Sequence, residues 1–170
     1  MAISLLLILM TQAQEYSWWD HNKLKKVFIV ENQFVDFNRS QLPQTIQRPS
    51  VRMSGARVFE TTTSETQYLL EASPNKLSPA FSNNKNGPIT RALPGGVLIR
   101  FHKNTHQNNR LKWFSSKKFR VVNKTQTIAG ILYLIETPSG IPSLKIANQL
   151  YQDPLIEFSA PNWWQNLKLM

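Results

Sequence analysis

The chain has 170 residues, of which 41% are hydrophobic, and this is enough to bury a core in one or two small domains. It contains no cysteine, which excludes disulfide bonds and thiolate metal sites, and its three scattered histidines do not form a zinc-binding pattern. The formal net charge of +10 raises the question of an acidic partner, such as a nucleic acid.

The chain opens with an apolar run, residues 2–10, that is too short to span a bilayer as a helix. The small residues that follow resemble a signal-peptidase site, so residues 1–13 are predicted to be the signal peptide of a secreted or cell-envelope protein. The usual preceding basic residues are missing, which indicates either an atypical signal or a true start other than Met1. If the run is instead a first buried strand or helix, the protein is expected to be cytoplasmic.

Residues 14–72 are predicted to form a small β-rich subdomain. Four short segments have strand character: residues 27–30, 34–37, 57–60 and 68–71. The first two are expected to form a hairpin around residues 31–33. Residues 73–94 contain four prolines among many Asn and Ser residues. This composition predicts a linker between two structural units.

Residues 95–162 have the pattern strand, helix, strand, strand, helix, strand. The strands are predicted at 97–101, 119–128, 131–135 and 156–158, with one helix running from a Thr105 cap to about Lys117 and another starting at Ser143. This order is typical of the split βαβ, or ferredoxin-like, fold, so the predicted class is α+β. The continuous apolar run 131–135 predicts a strand covered on both faces. The expected core comprises Val97, Ile99, Phe101, Leu132, Leu134, Ile156 and Phe158. Residues 163–170 are predicted to be a tail.

Eight basic residues lie between positions 100 and 124 with no acidic residue among them: Arg100, Lys103, Arg110, Lys112, Lys117, Lys118, Arg120 and Lys124. Such a run is most often the solvated face of a helix and a strand, although it can also contact an acidic partner. RNA binding by a ferredoxin-like sheet requires aromatic residues with Gly and Lys or Arg on a central strand. Residues 131–137 offer only Tyr133, which argues against this interpretation.

Three segments carry a resemblance to a known family. They are ALPGGVLIRF at 92–101, ETPSGIPSLKIANQL at 136–150 and LIEFSAPNWW at 155–164. In this order they are similar to the beginning, a later part and the end of the N-terminal prodomain-like region of secreted bacterial subtilisin-like serine proteases. The similarity covers the second half of the chain and extends weakly upstream through residues 72–74 and 78–81.

The resemblance implies a folding chaperone and temporary inhibitor of a protease. The implied partner is a subtilisin-like catalytic domain, and the implied protease-binding tail is Ser159, Ala160, Pro161, Asn162, Trp163 and Trp164. No nucleic acid, cofactor or membrane span is expected, and the protein is expected to be a monomer. The chain could equally be a truncated product of such a protease. The alternatives are an independent interaction module of an exported protein and, less favoured, a basic nucleic-acid-binding domain.

The sequence also predicts that the chain is not itself an enzyme. Subtilisin-like catalysis needs an aspartate, a histidine and a serine, because a serine hydroxyl is a weak nucleophile without a positioned base. No Asp-Ser/Thr-Gly, His-Gly-Thr or Gly-Thr-Ser-x-Ala segment surrounds the acids and histidines considered: Asp20, Asp36, Asp153, His21, His102 and His106.

Overall fold

The computed structural model describes residues 14–37, 42–43, 46, 51–53 and 55–165. This part of the chain forms two antiparallel sheets and three helices, so the predicted α+β class is confirmed. The predicted signal peptide and the last five residues of the predicted tail lie outside the described residues. The elements are β1 (Glu15–Asp20), β2 (Lys23–Asp36), β3 (Val51–Met53), β4 (Ala56–Glu60), α1 (Thr63–Ala72), β5 (Leu77–Ser82), β6 (Arg91–Ala92), β7 (Val97–Phe101), α2 (Gln107–Lys117), β8 (Val121–Thr127), β9 (Gly130–Ile135), α3 (Ile141–Tyr151), β10 (Ile156–Pro161) and β11 (Trp164–Gln165).

The larger sheet has seven strands in the order β11-β6-β5-β2-β4-β3, with β1 paired to the first half of β2. The turn between β1 and β2 consists of His21 and Asn22, both with positive φ, which suits the twist of a two-residue hairpin. The predicted hairpin around residues 31–33 is wrong, because β2 runs through this segment without turning. The segment instead absorbs a register shift against β5, between Val30 and Phe34.

Helix α1 replaces the strand predicted at residues 68–71. Its N-terminus is capped by the Thr62 hydroxyl, which accepts a hydrogen bond from the Glu65 amide at 3.2 Å. A Thr followed three residues later by Glu is the sequence pattern of a capping box, so the sequence itself indicates a helix that starts after Thr62. The helix buries Thr66 and Leu69 against the larger sheet.

The predicted linker, residues 73–94, contains β5 and β6. Every residue of β5 is buried, and the strand lies between β2 and β6 inside the larger sheet. Pro79 is tolerated there because it lies at the register shift between β5 and β2, where the regular ladder is interrupted. The prolines of this segment therefore mark turns and an irregular strand.

The smaller sheet has the strand order β10-β7-β9-β8 and is antiparallel throughout. Its elements follow the predicted sequence of strand, helix, strand, strand, helix, strand. Helix α2 is preceded by His106 rather than by a Thr105 cap, and α3 begins at Ile141, two residues before the predicted start. Under the two helices lies a core of Val97, Ile99, Phe101, Trp113, Tyr133, Ile135, Ala147, Leu150 and Ile156.

Strand β9 is not covered on both faces as predicted. Tyr133 and Ile135 point into the core under the helices, whereas Leu132 and Leu134 are half-buried. Since side chains alternate along a strand, pairing of Ile135 with Val97 assigns the intervening leucines to the opposite face. Phe158 also leaves the predicted core, because a bulge after Ile156 changes the face that the next residues occupy.

Helix α3 joins the two sheets. Ala147 and Leu150 pack into the core of the smaller sheet, while Leu144 packs with Val27 and Phe81 of the larger one. The β1–β2 hairpin also contacts this helix, since Asn148 Nδ2 donates to the carbonyl oxygen of Ser17 at 2.8 Å. None of the described helices combines the length and apolar character that crossing a membrane requires.

Candidate interaction site

The three segments that carry the family resemblance meet in space. We call this region the junction and define it as residues 93–96, residues 137–140 and Asn162. The Gly96 amide donates to the Thr137 hydroxyl at 2.9 Å, and the Ser139 hydroxyl donates to the Pro94 carbonyl at 2.9 Å. The Gly140 amide donates to the Leu93 carbonyl at 2.9 Å. The junction therefore fixes the entry to β7 against the segment that leads into α3.

Two consecutive glycines make this close approach possible. Gly95 and Gly96 have φ of +96° and +86°, a region that side chains disfavour. A Cβ atom on Gly95 would lie 2.6 Å from the Thr137 carbonyl oxygen, and one on Gly96 would lie 2.8 Å from Leu134 Cδ1. The backbone conformation therefore favours glycine at both positions, and at Gly95 the nearby carbonyl oxygen also leaves no space for a side chain.

Asn162 ties the end of β10 to the same junction. Its amide donates to the Gly96 carbonyl and its Nδ2 donates to the Gly95 carbonyl, both at 3.1 Å. The preceding predicted tail residues belong to β10 and are buried: Ser159 donates to the Ala147 carbonyl at 2.9 Å, while Ala160 and Pro161 pair with β7. Half of the predicted protease-binding tail is thus a strand of the smaller sheet.

Trp163 leaves the smaller sheet and packs on the larger one. Its ring centroid lies 5.0 Å from that of Trp18 and 5.5 Å from that of Phe81. The Arg91 guanidinium lies over both tryptophan rings, 5.0 Å from Trp18 and 5.3 Å from Trp163. Burial lowers the pKa of Arg91, although nearby Asp20 opposes this effect. Trp163 is therefore part of an aromatic cluster on the larger sheet.

Trp164 and Gln165 form β11, which pairs with Ala92 and Arg91 at the edge of the larger sheet. The Trp164 ring also makes an edge contact with Phe37, with centroids 6.1 Å apart. The predicted tail at residues 163–170 therefore begins with Trp163 and Trp164, which attach the end of the smaller sheet to the larger one.

The smaller sheet has a second face, opposite its helices, which we call the outer face. Cross-strand pairing places Leu98 between Ala160 and Leu134 on this face. Arg100 pairs with Phe158, its guanidinium lies 5.5 Å from that ring, and its Nε donates to Glu157 at 3.0 Å. Helices α2 and α3 pack on the other face, and α1 packs on the larger sheet. The outer face is therefore a half-buried, largely apolar surface with charged groups at one end.

The basic stretch is partly neutralised by acids from elsewhere in the chain. Arg100 pairs with Glu157, Arg120 with Glu136, and Lys117 with Asp153 at 3.4 Å. Burial disfavours ionisation of Asp153, but hydrogen bonds from the Trp113 indole and the Leu155 amide, together with Lys117, outweigh it and lower the pKa of Asp153. The continuous basic run in the sequence is therefore not a continuous unpaired surface.

Within the described ranges, no group of three or more His, Asp or Glu side chains lies close enough to hold a metal ion. The sequence did not predict the hydrogen bonds within the junction, above all those of Thr137 and of Asn162, which had been assigned to the protease-binding tail. The Pro-Gly-Gly sequence at 94–96 was the available signal, since adjacent glycines after a proline indicate a constrained turn. The outer face and the residues after β10 are the surfaces described above that could contact another macromolecule.

No family model, curated protein or solved structure matches this chain.

Proposed function

We propose that this chain acts as the non-catalytic, prodomain-like region of a subtilisin-like serine protease, as a folding chaperone and inhibitor of the protease domain, or is a truncated product of such a protease. The observation that carries the proposal is the junction. Three segments that resemble the prodomain-like region, far apart in sequence, are hydrogen-bonded to one another around Gly95, Gly96 and Asn162. A resemblance spread over unconnected surface segments would have less weight.

The architecture of the smaller sheet supports the same proposal. Its βαββαβ element order and the strand order β10-β7-β9-β8 are those expected of a ferredoxin-like unit. In this proposal the larger sheet is an addition to such a unit, and it packs on α3. Because one fold serves many functions, this architecture supports the proposal only together with the resemblance.

In this proposal the outer face docks on the catalytic domain. It presents Leu98, Leu132 and Leu134 on adjacent strands, and burial of such side chains provides the main driving force for association. Arg100 and Phe158 border this apolar area, and Arg and aromatic residues are enriched in interfaces relative to the rest of the surface.

The inhibitory segment is narrower than the six residues predicted from the sequence. Ser159, Ala160 and Pro161 belong to β10 and Asn162 is hydrogen-bonded in the junction, so in this proposal the part that reaches the protease cleft begins at Trp163. For this segment to pair with a strand edge of the protease, the short pairing of β11 with β6 must open. Only two residue pairs are lost in that step, and the aromatic contacts of Trp163 contribute most of its cost.

The test is to measure affinity and inhibition of the full chain against a subtilisin-like protease encoded nearby in the same genome. Leu98→Arg and Leu132→Arg should each weaken binding at least about tenfold, because each buries a charge in the docking surface. Leu111→Arg is the matched control, since Leu111 is 56% exposed on α2, on the other side of the smaller sheet. The control should bind as the unmodified chain does.

Deletion of residues 163–170 should reduce inhibition more than binding. Deletion of residues 166–170 retains Trp163 and β11, so it is the control and should inhibit as the full chain does. Circular dichroism checks that both proteins are folded. The full chain alone should release no product from a chromogenic peptide. Equal inhibition by all three forms would remove the tail from the mechanism, and absence of any binding would favour the independent interaction module.

A further inference from the structure

Strand β8 forms an open edge of the smaller sheet. Within the described part of the chain it pairs only with β9, on one side. The five residues at 122–126 are all exposed, so neither helix covers this strand. The strand at the opposite edge, β10, contacts β1 instead. An exposed edge strand presents unpaired backbone donors and acceptors, which another chain can bind.

The ladder between β8 and β9 determines which backbone groups of β8 face outwards. A loop of two residues joins these strands, so the residues that flank the loop exchange hydrogen bonds. Because bonded and non-bonded pairs alternate along an antiparallel ladder, Thr125 also bonds to β9, whereas Lys124 and Gln126 direct their backbone groups away from it. The Lys124 amide accordingly donates to the side chain of Asn123 at 2.8 Å. The Gln126 amide and the carbonyls of Lys124 and Gln126 are therefore available to a partner strand.

Two lysines beside this edge form no ion pair with a described residue. Lys124 points to the helix side of the sheet, where its ammonium group lies 5.8 Å from the centre of the Tyr133 ring. Lys118 ends α2, just before β8 begins. The nearby Arg120 is instead paired with Glu136. The helix side of the edge is therefore positively charged.

Exposed apolar side chains lie at both ends of the same edge. Val122 is 51% exposed near the start of β8, and Ile128 is fully exposed in the loop that follows the strand. They are two of the five large hydrophobic side chains that are exposed in the described residues. A single exposed apolar residue is normal on a protein surface. Here two of them flank free backbone, and this combination indicates a binding edge.

We propose that the free edge of β8 binds an extended acidic peptide segment of another protein, which adds an antiparallel strand to the smaller sheet. The peptide backbone pairs with Lys124 and Gln126. Directly opposite residues of an antiparallel pair share a face, so the peptide residues that bond to β8 place their side chains on the helix side. Acidic residues at these alternate positions meet Lys118 and Lys124, and the apolar residues between them lie on the opposite face.

Charge and backbone geometry together favour this partner over two others. Pairing of β8 with β8 of a second copy would bring like charges together, and a lysine and a bulge on an edge strand oppose such self-pairing. A nucleic acid would be attracted by the same lysines but needs no free backbone edge. The proposal is independent of the protease function, because it uses neither the leucines of the outer face nor Trp163, and either can fail without the other.

The test uses three synthetic eight-residue peptides with blocked ends, in which valine alternates with glutamate, glutamine or lysine. Their length suits the seven residues of β8. Each peptide is titrated into the isotope-labelled full chain and followed by NMR, and diffusion measurements confirm that the free peptides are monomeric. The expected order of affinity is glutamate, then glutamine, then lysine, with amide shifts at residues 122–127. The glutamate peptide should bind about two- to 25-fold more tightly than the glutamine peptide, at about 1.5- to fivefold for each of two surface ionic contacts.

Methylation of peptide amides tests the backbone pairing and its direction without altering the protein. Methyl groups on the amides of the two central glutamates remove two donors that face β8, and should weaken binding at least about fivefold. Methyl groups on the amides of the two central valines face away from β8 and should have little effect. A parallel orientation of the peptide would reverse this result and refute the antiparallel arrangement.

Variants of the chain then assign the contacts. Gln126→Pro removes the outward amide but retains the bonds between β8 and β9, because proline is tolerated where the nitrogen of an edge strand faces away from the sheet. It should weaken binding of the glutamate peptide at least about threefold, whereas Gln126→Thr keeps the amide and is the matched control. Lys124→Gln should weaken binding of the glutamate peptide about 1.5- to fivefold and leave the glutamine peptide unaffected. Lys85→Gln, at an exposed lysine after β5, should affect neither. Urea unfolding checks that each variant is folded.

Three results would overturn the proposal: no saturable binding of the glutamate peptide, equally tight binding of the lysine peptide, or an unchanged affinity in folded Gln126→Pro. Tighter binding of an oligothymidylate than of the glutamate peptide, unaffected by Gln126→Pro, would assign the lysines to a nucleic acid instead. Self-association of the full chain that Gln126→Pro abolishes would identify a second copy as the occupant and would also refute the proposal.

Discussion

Replacing two adjacent residues of β9 tests the face assignment of the smaller sheet. Ile135→Ala and Leu134→Ala each remove three carbon atoms, so any difference between them reports the environment rather than the size of the change. Ile135 is fully buried under the helices, whereas Leu134 is half-buried on the outer face. The pair is therefore a matched comparison within one strand.

The expected magnitudes follow from burial. Three fully buried carbon groups at about 0.8 kcal/mol each account for about 2.4 kcal/mol, and the cavity left behind brings the loss for Ile135→Ala to about 3–4 kcal/mol. Leu134 gives up only part of its contact with solvent on folding, and no enclosed cavity remains, so Leu134→Ala should cost about 1–1.5 kcal/mol. The sequence alone had predicted a core-sized loss at Leu134.

Urea unfolding followed by circular dichroism measures both values. With a denaturant slope of about 2 kcal/mol/M, Ile135→Ala should lower the midpoint by about 1.5–2 M and Leu134→Ala by about 0.5–0.75 M. Equal losses, or a larger loss at Leu134, would mean that β9 presents its other face to the helices and would refute the register described above.

Two further predictions concern the junction and Asp153. Gly95→Ala should destabilise the protein by clearly more than Gly55→Ala. Both positions have positive φ, but only at Gly95 does a backbone oxygen lie where the new Cβ would be. Thermal unfolding of the two variants measures the difference, and equal losses of stability would exclude the steric contact. Because the pKa of Asp153 is lowered in the folded protein, its carboxylate stabilises the fold above the unfolded-state pKa. This stabilisation is lost as the pH falls through the folded-state pKa. Asp153→Asn should therefore reduce the acid-induced loss of stability below about pH 4. Identical pH profiles for the two proteins would contradict the assignment.

The parts of the fold that were predicted correctly depend on local pattern. The alternation of Val97, Ile99 and Phe101 defines both the strand and its buried face. The run at 131–135 defines a strand but has no period of two, so the sequence could not tell which residues face the helices. The helix at 63–72 was predictable from Thr62 and Glu65, but the apolar run Tyr68, Leu69 and Leu70 suggested a short strand instead.

Other features depend on contacts between distant residues and could not be derived locally. Strand β5 contains a proline and was interpreted as linker, and its position is set by pairing with β2 and β6. The junction joins Gly96 to Thr137 across 41 residues and Gly95 to Asn162 across 67 residues. Resemblance identified the segments of the junction, whereas their mutual contacts required the structure.

The return of Trp163 and β11 to the larger sheet has a consequence for how the protein folds. The larger sheet receives strands from the beginning and from the end of the described chain, and α3 is bonded to β1 across 131 residues. During synthesis, β1 and β2 therefore leave the ribosome long before their partners in α3 and before Trp163. Such high contact order slows folding and leaves apolar surface exposed in the meantime. Truncation before α3 is therefore expected to cause aggregation during expression rather than release of a stable N-terminal half.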